Sequence, residues 1–278
     1  MVPGFTVICC VITLLLSLVL PAAVLIIFAA RNKKQGIVSA WFLGAAGFFV
    51  TQILIRLPIL TILQTQSWFL AFSQNHLFLY AFSLAFTAGL FELAGRFVVA
   101  KAMAKNLTAD RALAAGFGHG GIEAMLLIGM AYVNNLAYIA MINTGAFDAA
   151  LAEASAMGVD VSQLEMIRTQ LVSSSPALFL LGGAERILAM TAHAAMSMIV
   201  CYGVAHKKVL PSVLVCLGIH TMIDLTAGIS LLAGTALSQT AVYIIIYTIL
   251  SLVAVISVIL IRKMYRNWQS LPQKEVSL

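Results

Sequence analysis

Ionisable side chains are scarce in this sequence: 9% of its 278 residues are charged, 10 acidic against 16 basic, while 62% are apolar. Ordinary soluble domains carry about 25% charged and about 45–50% apolar residues, so a soluble fold is excluded. Cysteine is equally sparse. Cys9, Cys10, Cys201 and Cys216 all fall in apolar stretches, and no CxxC pair is present. They read as small packing residues rather than as a disulfide framework or a thiolate metal site. The sequence also lacks the HExxH pattern of helical zinc peptidases. The net charge of +6 does not point to nucleic acid, because the basic residues sit between apolar runs.

What the chain has in abundance is apolar runs of about 20 residues, the length that crosses a bilayer as a helix. They recur near 5–30, 37–60, 77–101, 112–142, 177–205, 209–233 and 239–261, and the mean hydropathy of the whole chain is +1.03. The expected fold class is all-α, a polytopic protein of about seven transmembrane helices forming a single domain over 1–278. Its setting is the cell membrane, with lipid as a partner and no nucleic acid. The first run has no basic residue before it and exceeds the roughly 7–15 residues of a signal-peptide core, so it is read as a retained span.

Alternate connections gather the positive charge. Arg31, Lys33 and Lys34, then Lys101, Lys105 and Arg111, then Lys207 and Lys208, then Arg262, Lys263, Arg266 and Lys274 account for 12 of the 16 basic residues. The opposite connections hold only Arg168. By the positive-inside rule the N-terminus lies outside and the C-terminus in the cytoplasm. The long polar connection, 144–175, then faces outward, and its pattern suggests two short amphipathic helices broken at Gly158.

Outside that loop stand six acidic residues, and Asp110 and Glu275 belong to cytoplasmic ends. Glu92, Glu123, Glu185 and Asp224 fall within spans, where insertion of a charge costs at least about 2.5–3.5 kcal/mol. Partners occur at helical spacing: Glu92 with Arg96, His119 with Glu123, and His220 with Asp224. Glu185 adjoins Arg186, seven residues before His193. Counting about 1.5 Å per residue from the basic end of each span puts Glu92, His119, His193 and His220 about 12 to 21 Å deep, compatible with one cluster near mid-membrane. Carboxylates with imidazoles are the groups that activate water and stabilise an oxyanion. Glu92, His119, Glu123, His193 and His220 are therefore the candidate catalytic residues, with Arg96, Glu185, Arg186 and Asp224 supporting them. The four glycines of Gly116-Phe117-Gly118-His119-Gly120-Gly121 suit either tight helix packing or a bared backbone that meets a substrate.

In order along the chain, Phe91-Glu92-Leu93-Ala94-Gly95-Arg96, Gly116 to Ala124, Glu185-Arg186 with His193, and His220-Thr221-Met222-Ile223-Asp224 resemble the YhfC family of intramembrane peptidases. They are also similar to the PrsW proteases and, more distantly, to the CAAX prenyl endopeptidases. The resemblance covers roughly 76–235, taken as the candidate catalytic core. It implies an endopeptidase that cuts a membrane-embedded or juxtamembrane peptide bond. Glu92 would activate the hydrolytic water, and His193 and His220 would stabilise the oxyanion or bind the reacting centre. Glu92 is not doubled as in the EExxR pattern of the prenyl endopeptidases, and no FxxxH precedes His193. His119, His193 and His220 with one carboxylate satisfy a catalytic zinc site of three protein ligands and a water, and a metal-free glutamate mechanism uses the same residues. A non-catalytic membrane scaffold and a proton-coupled transporter are the competing classes, since buried acid and imidazole chains also relay protons.

Overall fold

The computed structural model describes residues 1–32, 36–233 and 237–269. Lys33, Lys34, Lys274 and Glu275 lie outside the described residues. Among the described residues there is no strand, as expected of a chain whose backbone must satisfy its own hydrogen bonds in lipid. Seven helices among the described residues are long and apolar enough to cross: Gly4–Arg31, Ile37–Gln64, Leu77–Ala102, Ala109–Thr144, Pro176–Ala205, Val209–Ala233 and Gln239–Trp268. They are called the first to seventh spans below. The polar connection forms the two short helices expected, Ala146–Ala156 and Ser162–Ser173, with Gly158 at a positive φ of 76° between them. The sequence pattern did not signal the short helix Ser67–Asn75, nor two stretches of π-helix within spans, Phe49–Arg56 and Ala124–Gly129.

Contacts sort the chain into two compact units. One comprises Met1–Ala22 and Ala124–Ile187, the other Ala23–Glu123 and Leu188–Leu278. The first unit has its own apolar core of Cys9, Cys10, Tyr132, Ile139, Leu171 and Phe179. The Thr13 and Tyr132 hydroxyls both donate to the Phe179 carbonyl at 2.7 Å. Leu171 belongs to the second of the short loop helices, so that helix is packed into the core rather than solvated all round.

The second unit is held together largely by small residues, which let helices approach closely where lipid offers no hydrophobic drive to pack them. Ala40, Ala100, Ala112, Ala114 and Ala115 are buried in its core with Met196 and Met198. Residues 192–201 of the fifth span are buried without interruption, the pattern of a helix enclosed on every side. All four cysteines are free and buried, consistent with packing.

The glycine-rich segment of the fourth span works in two directions. A Cβ at Gly118 would collide with the Trp41 carbonyl, and one at Gly44 with the Ala115 carbonyl, so the second and fourth spans touch backbone to backbone. On the other side a Cβ at Gly116 would stand 2.6 Å from Ala194 Cα, and one at Gly120 3.0 Å from His193 Cβ. Of the two roles open to these glycines, tight packing is the one observed, and it fixes His119 and His193 on adjoining helices.

Candidate active site

Glu92 sits mid-way along the third span at 3% exposure, and one of its oxygens is a meeting point. Glu92 Oε2 lies 2.7 Å from His220 Nε2, 2.9 Å from His119 Nε2, 3.1 Å from Arg96 Nη2 and 3.7 Å from His193 Nδ1. Its other oxygen accepts a 2.7 Å hydrogen bond from Gln52 Nε2. The second, third, fourth, fifth and sixth spans thus each send a polar group to one carboxylate. The three imidazole rings are neighbours. His119 stacks on His193 with centroids 5.3 Å apart, and His193 meets His220 edge-on at 5.7 Å.

Helical spacing identified two of the three expected pairs. Arg96 is bonded to Glu92, and His220 Nδ1 stands 3.4 Å from Asp224 Oδ2. The third is re-partnered: His119 turns to Glu92, and Glu123 instead lies 2.7 Å from His193 Nε2. Residues four apart share a helix face, but a facing helix offers an equally close partner, and in a packed bundle the latter takes precedence here. Glu185 and Arg186 belong to the first unit, where they pair with one another.

Two residues emerge from the structure without having been singled out for the site. Gln52, in the π-helical stretch of the second span, supplies the amide donor to Glu92 and is 7% exposed. Arg56, four residues on, donates to the Leu84 carbonyl at 2.7 Å and stands 3.4 Å from Gln52 Oε1, so it orients the amide from behind. A glutamine preceding an arginine by one turn in an otherwise apolar run was the available signal. π-Helical insertions occur disproportionately at functional sites.

The hydrogen bonds assign ring tautomers. A guanidinium only donates, so the Arg96 bond to His193 Nδ1 leaves the proton on Nε2, where it faces Glu123. His220 has a carboxylate at each nitrogen. That arrangement is satisfied by two ring protons, or by an Nδ1 proton held by Asp224 with a cation at Nε2. Arg96 Nε and Nη1 are buried without a hydrogen-bond partner, and a cavity of about 10 Å³ lined by Arg96, His119, Ser197 and Cys201 adjoins them.

Comparison with known proteins decides the family. The profile of the family described as YhfC intramembrane metalloprotease matches residues 16–250. The chain belongs to the YhfC family. A relative from Bacillus subtilis (strain 168), described as an uncharacterized membrane protein YhfC, is 29% identical over 195 residues, covering 69% of this chain and 73% of the relative. No solved structure matches. The YhfC match spans all the convergent residues, and with the seven apolar helices it makes this a multi-pass membrane protein, which implies the cell membrane.

The metal in the family's description can be tested against these side chains. Ligand atoms of Glu92, His119 and His193 all lie within 4.8 Å of one another, and His220 Nε2 faces the same Glu92 oxygen. Imidazole and carboxylate donors suit zinc or a similar divalent ion. His193 and His220 each have a carboxylate behind the ring, Glu123 and Asp224, the arrangement that orients histidine ligands. The YhfC site therefore fits a cation.

Proposed function

We propose that this protein is an intramembrane endopeptidase that hydrolyses a peptide bond in a membrane-embedded or juxtamembrane segment. The observation that carries the reading is the convergence of three imidazoles and a guanidinium on the single buried oxygen of Glu92. A merely structural ion pair needs one partner, and the other groups would then be a cost without return in a bilayer. A scaffold has no use for this surplus. A proton relay would string its groups along the membrane normal, whereas these surround one atom.

His119, His193 and His220 would hold a divalent metal, zinc being the best match to the donors, and such an ion supplies a Lewis-acidic centre that makes bound water acidic near neutral pH. The chain's own groups do the rest. Glu92 accepts the proton of the attacking water, whose oxygen bonds to the scissile carbonyl carbon. The unpaired N–H groups of Arg96 are available to the oxyanion that develops. The carbon–nitrogen bond then breaks, and the proton held at Glu92 passes to the leaving amine. Glu123 and Asp224 hold His193 and His220 in orientation.

A metal-free version has one observation in its favour: Arg96 donates to His193 Nδ1, the ring nitrogen that faces Glu92. One experiment separates the versions and tests the function. Purified protein is analysed for bound metal, reconstituted in liposomes with a panel of single-span peptides, and the products are read by mass spectrometry before and after chelation. The expected result is cleavage within or beside the apolar segment, lost on chelation and restored by zinc. Full activity in protein free of metal would overturn the metal version. No cleavage of any peptide by metal-loaded protein would overturn the peptidase reading.

A further inference from the structure

The Glu92 cluster is enclosed, with Glu92, His119, His193 and His220 each no more than 6% exposed. A substrate that arrives through the bilayer needs a way to reach it. Between the third and sixth spans runs a groove of about 400 Å³, walled by Phe82, Phe86, Leu217, Gly218, Thr221 and Met222. Its size falls in the range of ligand sites, and Phe82, Phe86 and Met222 are themselves exposed.

Two features distinguish this groove from an ordinary lipid-facing surface. Thr221 follows His220 directly in the chain, and it is 8% exposed with Oγ1 lacking a hydrogen-bond partner. Helical threonines commonly satisfy the hydroxyl on a carbonyl one turn back, as Thr226 does on Ile223 at 2.6 Å. Thr221 does not. The floor at this point is tied to the site, because a Cβ on Gly89 would lie 3.3 Å from His220 Cβ and 3.4 Å from Thr221 Oγ1. At Gly218, by contrast, a Cβ would meet no atom within 4 Å. The wall is open there.

We propose that this groove receives the scissile segment of an apolar membrane-spanning peptide in extended form, with Thr221 Oγ1 hydrogen-bonding its backbone beside His220. The proposal rests on the peptidase reading and names where its substrate lies. An extended backbone in hydrocarbon has bare N–H and C=O groups that are costly to leave unpaired. Thr221 is a hydroxyl in the same predicament, and the two relieve one another. An acyl chain fits the apolar walls but offers nothing to the hydroxyl.

The test uses a single-span peptide that the wild type cleaves. Gly218→Leu should raise its KM by about tenfold with kcat and metal content little changed, because one added side chain fills the groove and a change of a methylene or more in an apolar site alters binding by about 10- to 200-fold. Thr221→Val should lower kcat/KM by about 5- to 10-fold, as expected for one hydrogen bond. A photo-reactive benzophenone side chain in place of Met222, an exposed wall residue, in the Glu92→Gln protein should cross-link the peptide, and the same group at Val98, which is 65% exposed on the third span, should not. Unchanged kinetics in Gly218→Leu, or cross-links from 222 to lipid alone, would overturn the groove and leave the peptidase reading standing. If the wild type cleaves no peptide, the peptidase reading itself falls and the groove's role falls with it.

Discussion

A carboxylate in the middle of a bilayer is tolerated only with partners, and Glu92 takes hydrogen bonds from Gln52, Arg96, His119 and His220. The value of each partner depends on what its loss leaves behind. Arg96→Ala strands a buried carboxylate, a change that costs about 3–5 kcal/mol when one member of a buried pair is removed. Folded yield and activity should both fall, read as monodisperse protein on size exclusion and as cleavage rate. Gln52→Leu removes a neutral donor only, at about 1–3 kcal/mol, so the protein should accumulate with a lower melting temperature. Asp224→Asn keeps the shape beside His220 but loses the charge behind the ring, and metal affinity should drop about 10- to 100-fold in a competition assay against a chromogenic chelator. The acidic and basic members of this cluster were legible in the sequence because each is an expensive anomaly in an apolar run. Gln52 was not, because an uncharged amide raises no comparable alarm, and the partnering of Glu123 with His193 across helices lies beyond what spacing on one helix reveals.

At the scale of elements, the fourth span decides how the histidines meet. Its glycines let the second and fifth spans close on either side, and the segment was recognisable as unusual before its role was known. Gly118→Ala puts a methyl group into the Trp41 carbonyl, and with backbone on both sides neither helix can yield cheaply. Overpacking of this kind costs about 1–3 kcal/mol or more, so Gly118→Ala should lower the melting temperature and the amount of folded protein. Gly218→Ala, where a Cβ meets nothing, is the matched control and should melt like the wild type. The π-helical stretches had no legible signal. Ala124–Gly129 is apolar throughout and Phe49–Arg56 is apolar apart from Thr51, Gln52 and Arg56, compositions that an ordinary α-helix shares.

At the scale of the whole molecule, all seven spans were readable as apolar runs, because the bilayer imposes one length and one polarity on every crossing. The sixth span coincides with its expected range and the others extend theirs, most at the seventh, which runs to Trp268, and the fourth, which covers Ala109–Thr144. The grouping of contacts into two units was not readable, since each unit joins segments far apart in sequence. The asymmetry of basic residues, 12 in one set of connections against Arg168 in the other, predicts the direction of insertion. Reporter fusions at Ala109 and His206 should therefore read cytoplasmic and one at Ala154 external, and a cytoplasmic signal from Ala154 would reverse the topology. Catalysis as proposed depends on Glu92 as the group that takes a proton from water. Glu92→Gln keeps the size and hydrogen-bonding reach of the side chain but cannot accept that proton. Cleavage of a single-span peptide by matched amounts of reconstituted wild type and Glu92→Gln is the most direct measurement. The expected result is normal accumulation of the variant with cleavage reduced about 10²- to 10⁴-fold, the usual contribution of a general base; cleavage near the wild-type rate would contradict this role for Glu92 and move it to Glu123.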